Sequence, residues 1–294
     1  MKSLLAVVMG LLFLSATGMV MAERADSSFG NTEVNEDDGG GQDGFNKNAD
    51  AKGKDKNGND WKHDNDSDWK HHSNTPTPNA TVIPAPPGTQ AMVNLGSAAN
   101  YVVLAYSAIT NSGLTTLCGS LGLFPGTSVT GAPVVACGGT TDLANAAANT
   151  AELDLGTAYT DAASRTGGTL LPANADIGGQ TLYPGLYTDM GNLSVSSGDL
   201  TLDAKGNQNA VFIFQVNGVL DATTNRKVIL ANGAKAANIF WQVTGYCSLG
   251  TGVSFKGNIM AFTAVTINTG AVLEGRALAE NANVTMLSNT ITKP

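Results

Sequence analysis

The chain has 294 residues, a formal net charge of −8 at pH 7, 35 glycines, three cysteines and three histidines. Its acidity excludes nucleic acid and anionic membrane surfaces as partners. His63, His71 and His72 all precede residue 75, so no Ser-His-Asp or Cys-His set can form in the rest of the chain, which reads as non-enzymatic.

Lys2, the apolar run Leu4–Leu14 and the small-residue end Val20-Met21-Ala22 have the build of a secretory signal over residues 1–22. The run is too short for a transmembrane helix. The expectation is an exported, extracellular protein without membrane insertion. Residues 23–75 hold thirteen Asp/Glu against seven Lys/Arg and almost no aliphatic residues. Such a segment cannot bury enough apolar area to offset its chain entropy, so disorder is expected. Residues 75–88 carry five prolines and read as an extended spacer, which completes a linker over 23–88. Within it, Asp60-Trp61-Lys62-His63 recurs as Asp68-Trp69-Lys70-His71. The nearby Asp-rich runs lack the Gly and Glu of a calcium loop, so a solvated spacer is the expectation. The folded part is expected over 89–294.

In that part, Val93–Ile109 alternates and should hold the first strands. Gly119–Gly126 reads as a strand ended by Pro125-Gly126. Cys118 and Cys137 lie in a Gly/Pro/Thr-rich region and are natural disulfide partners in an oxidising compartment. Next, 141–165 is rich in alanine and reads as one helix, with Leu143, Ala147, Ala151, Leu155, Ala158 and Ala162 on one face and Thr140 or Thr141 as cap. Its small-residue face suits close packing along a sheet. From Asp176 onward the pattern is strands and turns, with glycines 218, 245, 252, 257, 270 and 275 at corners.

The second half also repeats itself. Val211–Gly218 matches Asn238–Gly245, and Tyr246–Gly252 matches Ala264–Gly270 eighteen residues later. The register gives an apolar file, Leu193, Leu220, Cys247, Val265, Val284, and between its members an outward file, Ser194, Asp221, Ser248, Thr266, Thr285. Alternation on strands separates the two files. So short a period, rich in Gly and β-branched residues, indicates stacked solenoid coils about 4.8 Å apart. Cys247 then reads as a core thiol rather than a reactive one. Asp199, Asp203 and Asp221 form no pointed carboxylate pair, and the domain gives no cofactor or metal set.

Several motifs, in order, resemble the microbial ice-binding protein family. They are the helix end Ala158-Tyr159-Thr160-Asp161-Ala162-Ala163, the stretch Asp176–Tyr187, Asn238-Ile239-Phe240-Trp241-Gln242-Val243 and Glu274-Gly275-Arg276-Ala277-Leu278-Ala279. The resemblance covers roughly 92–294. It implies a mainly β fold, a discontinuous right-handed β-solenoid with one long helix packed alongside, whose N-terminal segment completes the same stack. It also implies an ice crystal surface as partner, met by one flat face with a Thr-Ala/Gly-x-Thr/Asn pattern. Thr263-Ala264-Val265-Thr266 fits that pattern, and Thr251-Gly252-Val253-Ser254 nearly does. The candidate face residues are therefore Ser194, Ser248, Thr263, Thr266, Asn268 and Thr285. The competing expectation is a structural or adhesive surface protein that meets a polysaccharide, cell-envelope or matrix component with the same solenoid.

Overall fold

The computed structural model describes residues 89–294. The expected signal, acidic segment, Trp-Lys-His repeat and spacer, residues 1–88, lie outside the described residues. The strands pair in parallel throughout and stack as three ladders, one on each side of a solenoid. One side runs through Gly185–Asp189, Phe212–Val216, Ile239–Val243 and the second halves of Ser254–Ala261 and Val272–Ala279. A second holds the predicted repeat strands Leu193–Val195, Leu220–Ala222, Cys247–Leu249, Val265–Ile267 and Val284–Leu287. The third runs through Leu200–Asp203 and Val228–Ala231, then through the first halves of the two long strands and Thr290–Thr292.

The stack is discontinuous in sequence. Tyr101–Ala105 pairs with the end of Val272–Ala279, with Val103 opposite Ala277. Ala108–Ser112 pairs with Val284–Leu287, and Thr116–Cys118 with Thr290–Thr292. The N-terminal coils thus sit on top of the C-terminal coil. The segment after the helix starts the opposite end at Thr169–Leu170. The chain must travel back along the stack between these ends, and the helix makes that journey.

The helix spans Ala146–Ser164, 19 residues, hence about 28 Å. It buries Ala148, Ala151, Leu155, Ala158 and Ala162 against Leu104, Ile213, Phe240, Met260 and Leu278 of the first side. Alanines let the backbone approach the sheet closely. The start differs from the sequence expectation. Thr141–Leu143 is a strand paired with Ser120–Leu123, so Leu143 and Ala147 face out and Ala148 faces in. The cap is Asn145, whose side-chain oxygen accepts from the Ala148 N–H at 2.9 Å. Thr140 instead donates to Asp142 at 2.8 Å. Likewise Gly96–Asn100, expected as strand, is a 3₁₀ turn, held to the helix by the Ser97 N–H donating to Asp154 at 2.6 Å. Among the described residues no helix is long and apolar enough to cross a membrane.

The interior is filled by rung-on-rung stacking. Tyr187, Phe214 and Trp241 occupy one register position. Their rings stack at 5.3 Å and 4.0 Å between centroids, and Phe255 tilts onto Trp241 at 5.0 Å. The long strands bend at Gly257 and Gly275, which face each other in register. A Cβ on Gly275 would lie 1.9 Å from the Gly257 carbonyl oxygen, so this corner closes only without side chains.

Cys118 and Cys137 are disulfide-bonded across 19 residues, a loop worth about 3 kcal/mol in the chain-entropy model. The bridge ties the terminal coil, with its edge strands Ser128–Thr130 and Val134–Ala136, to the coil below. Cys247 is a fully buried thiol. Burial pushes its pKa up, and the charge of Asp221 adds to the shift. Thiol titration of the denatured, unreduced protein should therefore find one thiol per chain, and the native protein should show none. Three thiols on denaturation would contradict the pairing.

Candidate functional site

The second side presents the outward file in the predicted register. Ser194 lies opposite Asp221, Asp221 opposite Ser248, Ser248 opposite Thr266, and Thr266 opposite Thr285. Their inward neighbours Leu193, Leu220, Cys247, Val265 and Val284 are at most 1% exposed. The outward residues of the file are half-buried, as close strand stacking requires.

The file is longer than the repeat predicts. Thr285 pairs with Thr110, and Thr110 with Thr130. Four threonines therefore occupy four consecutive rungs, Thr266, Thr285, Thr110, Thr130, over about 14 Å. Thr110 and Thr130 are exposed. Both were missed because they lie upstream of the helix, where spacing from the C-terminal repeat carries no register. A signal exists: Ala108-Ile109-Thr110 and Ser128-Val129-Thr130 share the small-or-polar, β-branched, Thr order of Ala264-Val265-Thr266 and Asn283-Val284-Thr285.

The two ends of the face differ. On one side of the threonines stand Ala264, Asn283, Ala108 and Ser128, all short, and on the other Leu287 lies opposite Ser112. Beside Ser194, Asp221 and Ser248 stand Asn192, Val219 and Tyr246, and Tyr246 is 49% exposed. The Ser194 end also abuts Asp176, whose carboxylate accepts from the Ser196, Ser197 and Gly178 N–H groups at 2.9 Å. Burial alone would raise its pKa, but these bonds, with those from the Ser196 and Ser197 hydroxyls, hold it well below the usual carboxylate range. Asp176 is thus an anion that closes the first coil.

Two predicted face residues lie off the file. Asn268 is two positions beyond Thr266, and its side-chain NH₂ donates to the Leu249 carbonyl at 2.8 Å, so it stitches adjacent coils. Thr263 sits at the corner before the strand, with its N–H directed at the Gly245 carbonyl at 3.2 Å. Thr285 lies on the file, and the Asn283 side chain donates to its hydroxyl at 3.0 Å.

The chain matches the family model described as ice-binding-like over residues 103–292. It is 40% identical over 202 residues to an ice-binding protein of Nostoc sp., covering 67% of this chain and 72% of that protein. An ice-binding protein of Colwellia sp. is 37% identical over 221 residues, with 69% and 84% covered. Among solved structures, an ice-binding protein from an Antarctic biological consortium superposes with a TM-score of 0.70 at 48% identity, covering 72% of this chain and 96% of that one. The ice-binding domain of Shewanella frigidimarina superposes with a TM-score of 0.64 at 29% identity, covering 70% and 99%.

Proposed function

This chain is a member of the ice-binding-like family, and from that premise we propose that it is a secreted, non-enzymatic protein that binds ice through the Thr266–Thr285–Thr110–Thr130 file. The observation that carries the reading is the run of four threonines on consecutive, hydrogen-bonded rungs. Each threonine offers a hydroxyl and a methyl group. The parallel ladder fixes their spacing, so little side-chain or backbone freedom is lost when first-shell water orders over them. On the side of Ala264, Asn283, Ala108 and Ser128, short residues keep the edge of that half of the face low. Many weak contacts then add up on a rigid array, and a crystal that grows against it is held at its surface.

Ser194 and Ser248 extend the file, and Asp221 interrupts it. A carboxylate keeps a strong hydration shell of its own, which does not match an ice layer. Asp221→Thr should therefore raise inhibition of ice recrystallisation by about twofold, by removing the cost of disturbing a hydrated charge. An unchanged or lower activity would place the contact wholly on the threonine half.

Export is supported by the signal-like start of the sequence and by the Cys118–Cys137 bridge, since disulfides persist in oxidising compartments. We read residues 1–22 as signal, 23–88 as linker and 89–294 as the binding domain. Thermal hysteresis and recrystallisation assays on the 89–294 fragment test the function and the boundary together. Activity equal to that of the exported chain is expected. Activity of the chain but not of a folded fragment would assign the function elsewhere.

A further inference from the structure

The flank between the helix and the solenoid holds a feature that ice binding does not use. A cavity of about 300 Å³ opens there, lined by Asn149, Glu152 and Gly156 of the helix and by Tyr106, Glu280 and Asn281 of the solenoid corner. Glu152 is 9% exposed, and neither of its carboxylate oxygens has a hydrogen-bond partner. Glu280 is half-buried, and its Oε2 is also buried without a partner. The two acids face the same patch. A Cβ on Gly156, one helical turn beyond Glu152, would lie 3.3 Å from Glu280 Oε1. Burial and the neighbouring Glu280 push the Glu152 pKa up to about 9, and burial raises that of Glu280.

Two carboxylates withdrawn from water beside one another oppose the docking of the helix unless their charge is neutralised. A single proton removes one of the two charges. A divalent cation removes both and supplies the missing partners for all the buried oxygens. Asn149 comes from the helix turn before Glu152, and Asn281 follows Glu280 in sequence, so each acid has an asparagine near it among the residues that line the cavity. The donor set is all oxygen and suits a hard cation with flexible coordination, of the calcium class, rather than a soft or strictly octahedral metal. Among the described residues no three His, Cys, Asp or Glu side chains converge, so the site needs amide oxygens and water besides its two carboxylates. We propose that Glu152 and Glu280, with Asn149 and Asn281, bind a Ca²⁺-class divalent cation that fastens the helix to the solenoid.

The test uses the full chain, stripped with a chelator and returned to metal-free buffer at pH 7.5. Calorimetric titration with Ca²⁺ should show one saturable site. The melting temperature should rise by about 4 °C at a tenfold excess over Kd. Glu152→Gln and Glu280→Gln should each weaken that binding at least tenfold and remove the thermal gain, with unchanged far-UV circular dichroism. Binding that survives both substitutions belongs to the Asp-rich segment 23–75 and overturns the proposal. So does a wild-type chain that gains nothing from Ca²⁺ while Glu152→Gln melts higher than wild type with or without it, because the pair is then held by a proton. The thermal and calorimetric readouts are independent of ice activity, so failure here leaves the reading of the face intact.

Discussion

Thr266→Tyr should abolish ice-crystal shaping and leave the melting temperature within about 1 °C of the wild type, since the substituted side chain points away from the core. Thr266 is the central member of the seven-rung file from Ser194 to Thr130. A phenol ring there would stand above the neighbouring hydroxyls of Ser248 and Thr285 and hold an ice plane away from both. The loss should exceed that of Thr266→Ser, which keeps the hydroxyl and the flatness and removes one methyl group. Thr290→Tyr provides the control. It carries the same change to an exposed rung on the third side, in the strand paired with Val272 and Thr116. Full activity in Thr290→Tyr and none in Thr266→Tyr would locate the contact. The reverse outcome would move it to the third side.

The second large effect concerns the core. Trp241→Ala should destabilise the domain by about 3–5 kcal/mol, because it empties the largest buried side-chain volume and the interior relaxes only in part. Trp241 is 0% exposed and sits between Phe214 and Phe255. Its indole N–H donates to the Lys256 carbonyl at 2.9 Å, and the alanine variant leaves that carbonyl without this donor. The melting temperature should fall by about 12 °C for a domain of this size. The loss of ice activity should track the loss of folded protein, with normal crystal shaping at temperatures where the variant stays folded. A stable Trp241→Ala protein would mean that the aromatic stack is dispensable, against the rung-on-rung account of the interior.

The C-terminal coils were legible in the sequence because their repeat is local. Val265 and Val284 recur at nearly one coil length, and alternation on a short strand leaves no second choice of face. The pairing Cys118–Cys137 was legible from the oxidising compartment that the signal-like start implies, whereas their placement one coil apart at the stack end is visible only in the fold. What stayed hidden depends on contacts between distant segments. No spacing rule connects Thr110 to Thr285, which meet only because the N-terminal coils sit on the C-terminal one. The helix start was misread because Thr141–Leu143 has a strand partner in Ser120–Leu123, and a paired strand overrides the local helical pattern. Glu152 and Glu280 were hidden for the same reason, being 128 positions apart in sequence. Asn268 alternates to the same side as Thr266, and only the folded stack shows that its amide also donates to the Leu249 carbonyl of the preceding coil.

The central claim is that the unmodified protein adsorbs to ice. Partition into a slowly grown ice ball measures this directly. Frozen from dilute solution beside a non-binding protein of similar size, the chain should be enriched in the ice fraction while the reference protein stays in the liquid. Exclusion from the ice to the same extent as the reference protein would contradict the account and leave the solenoid as an adhesive or structural surface module.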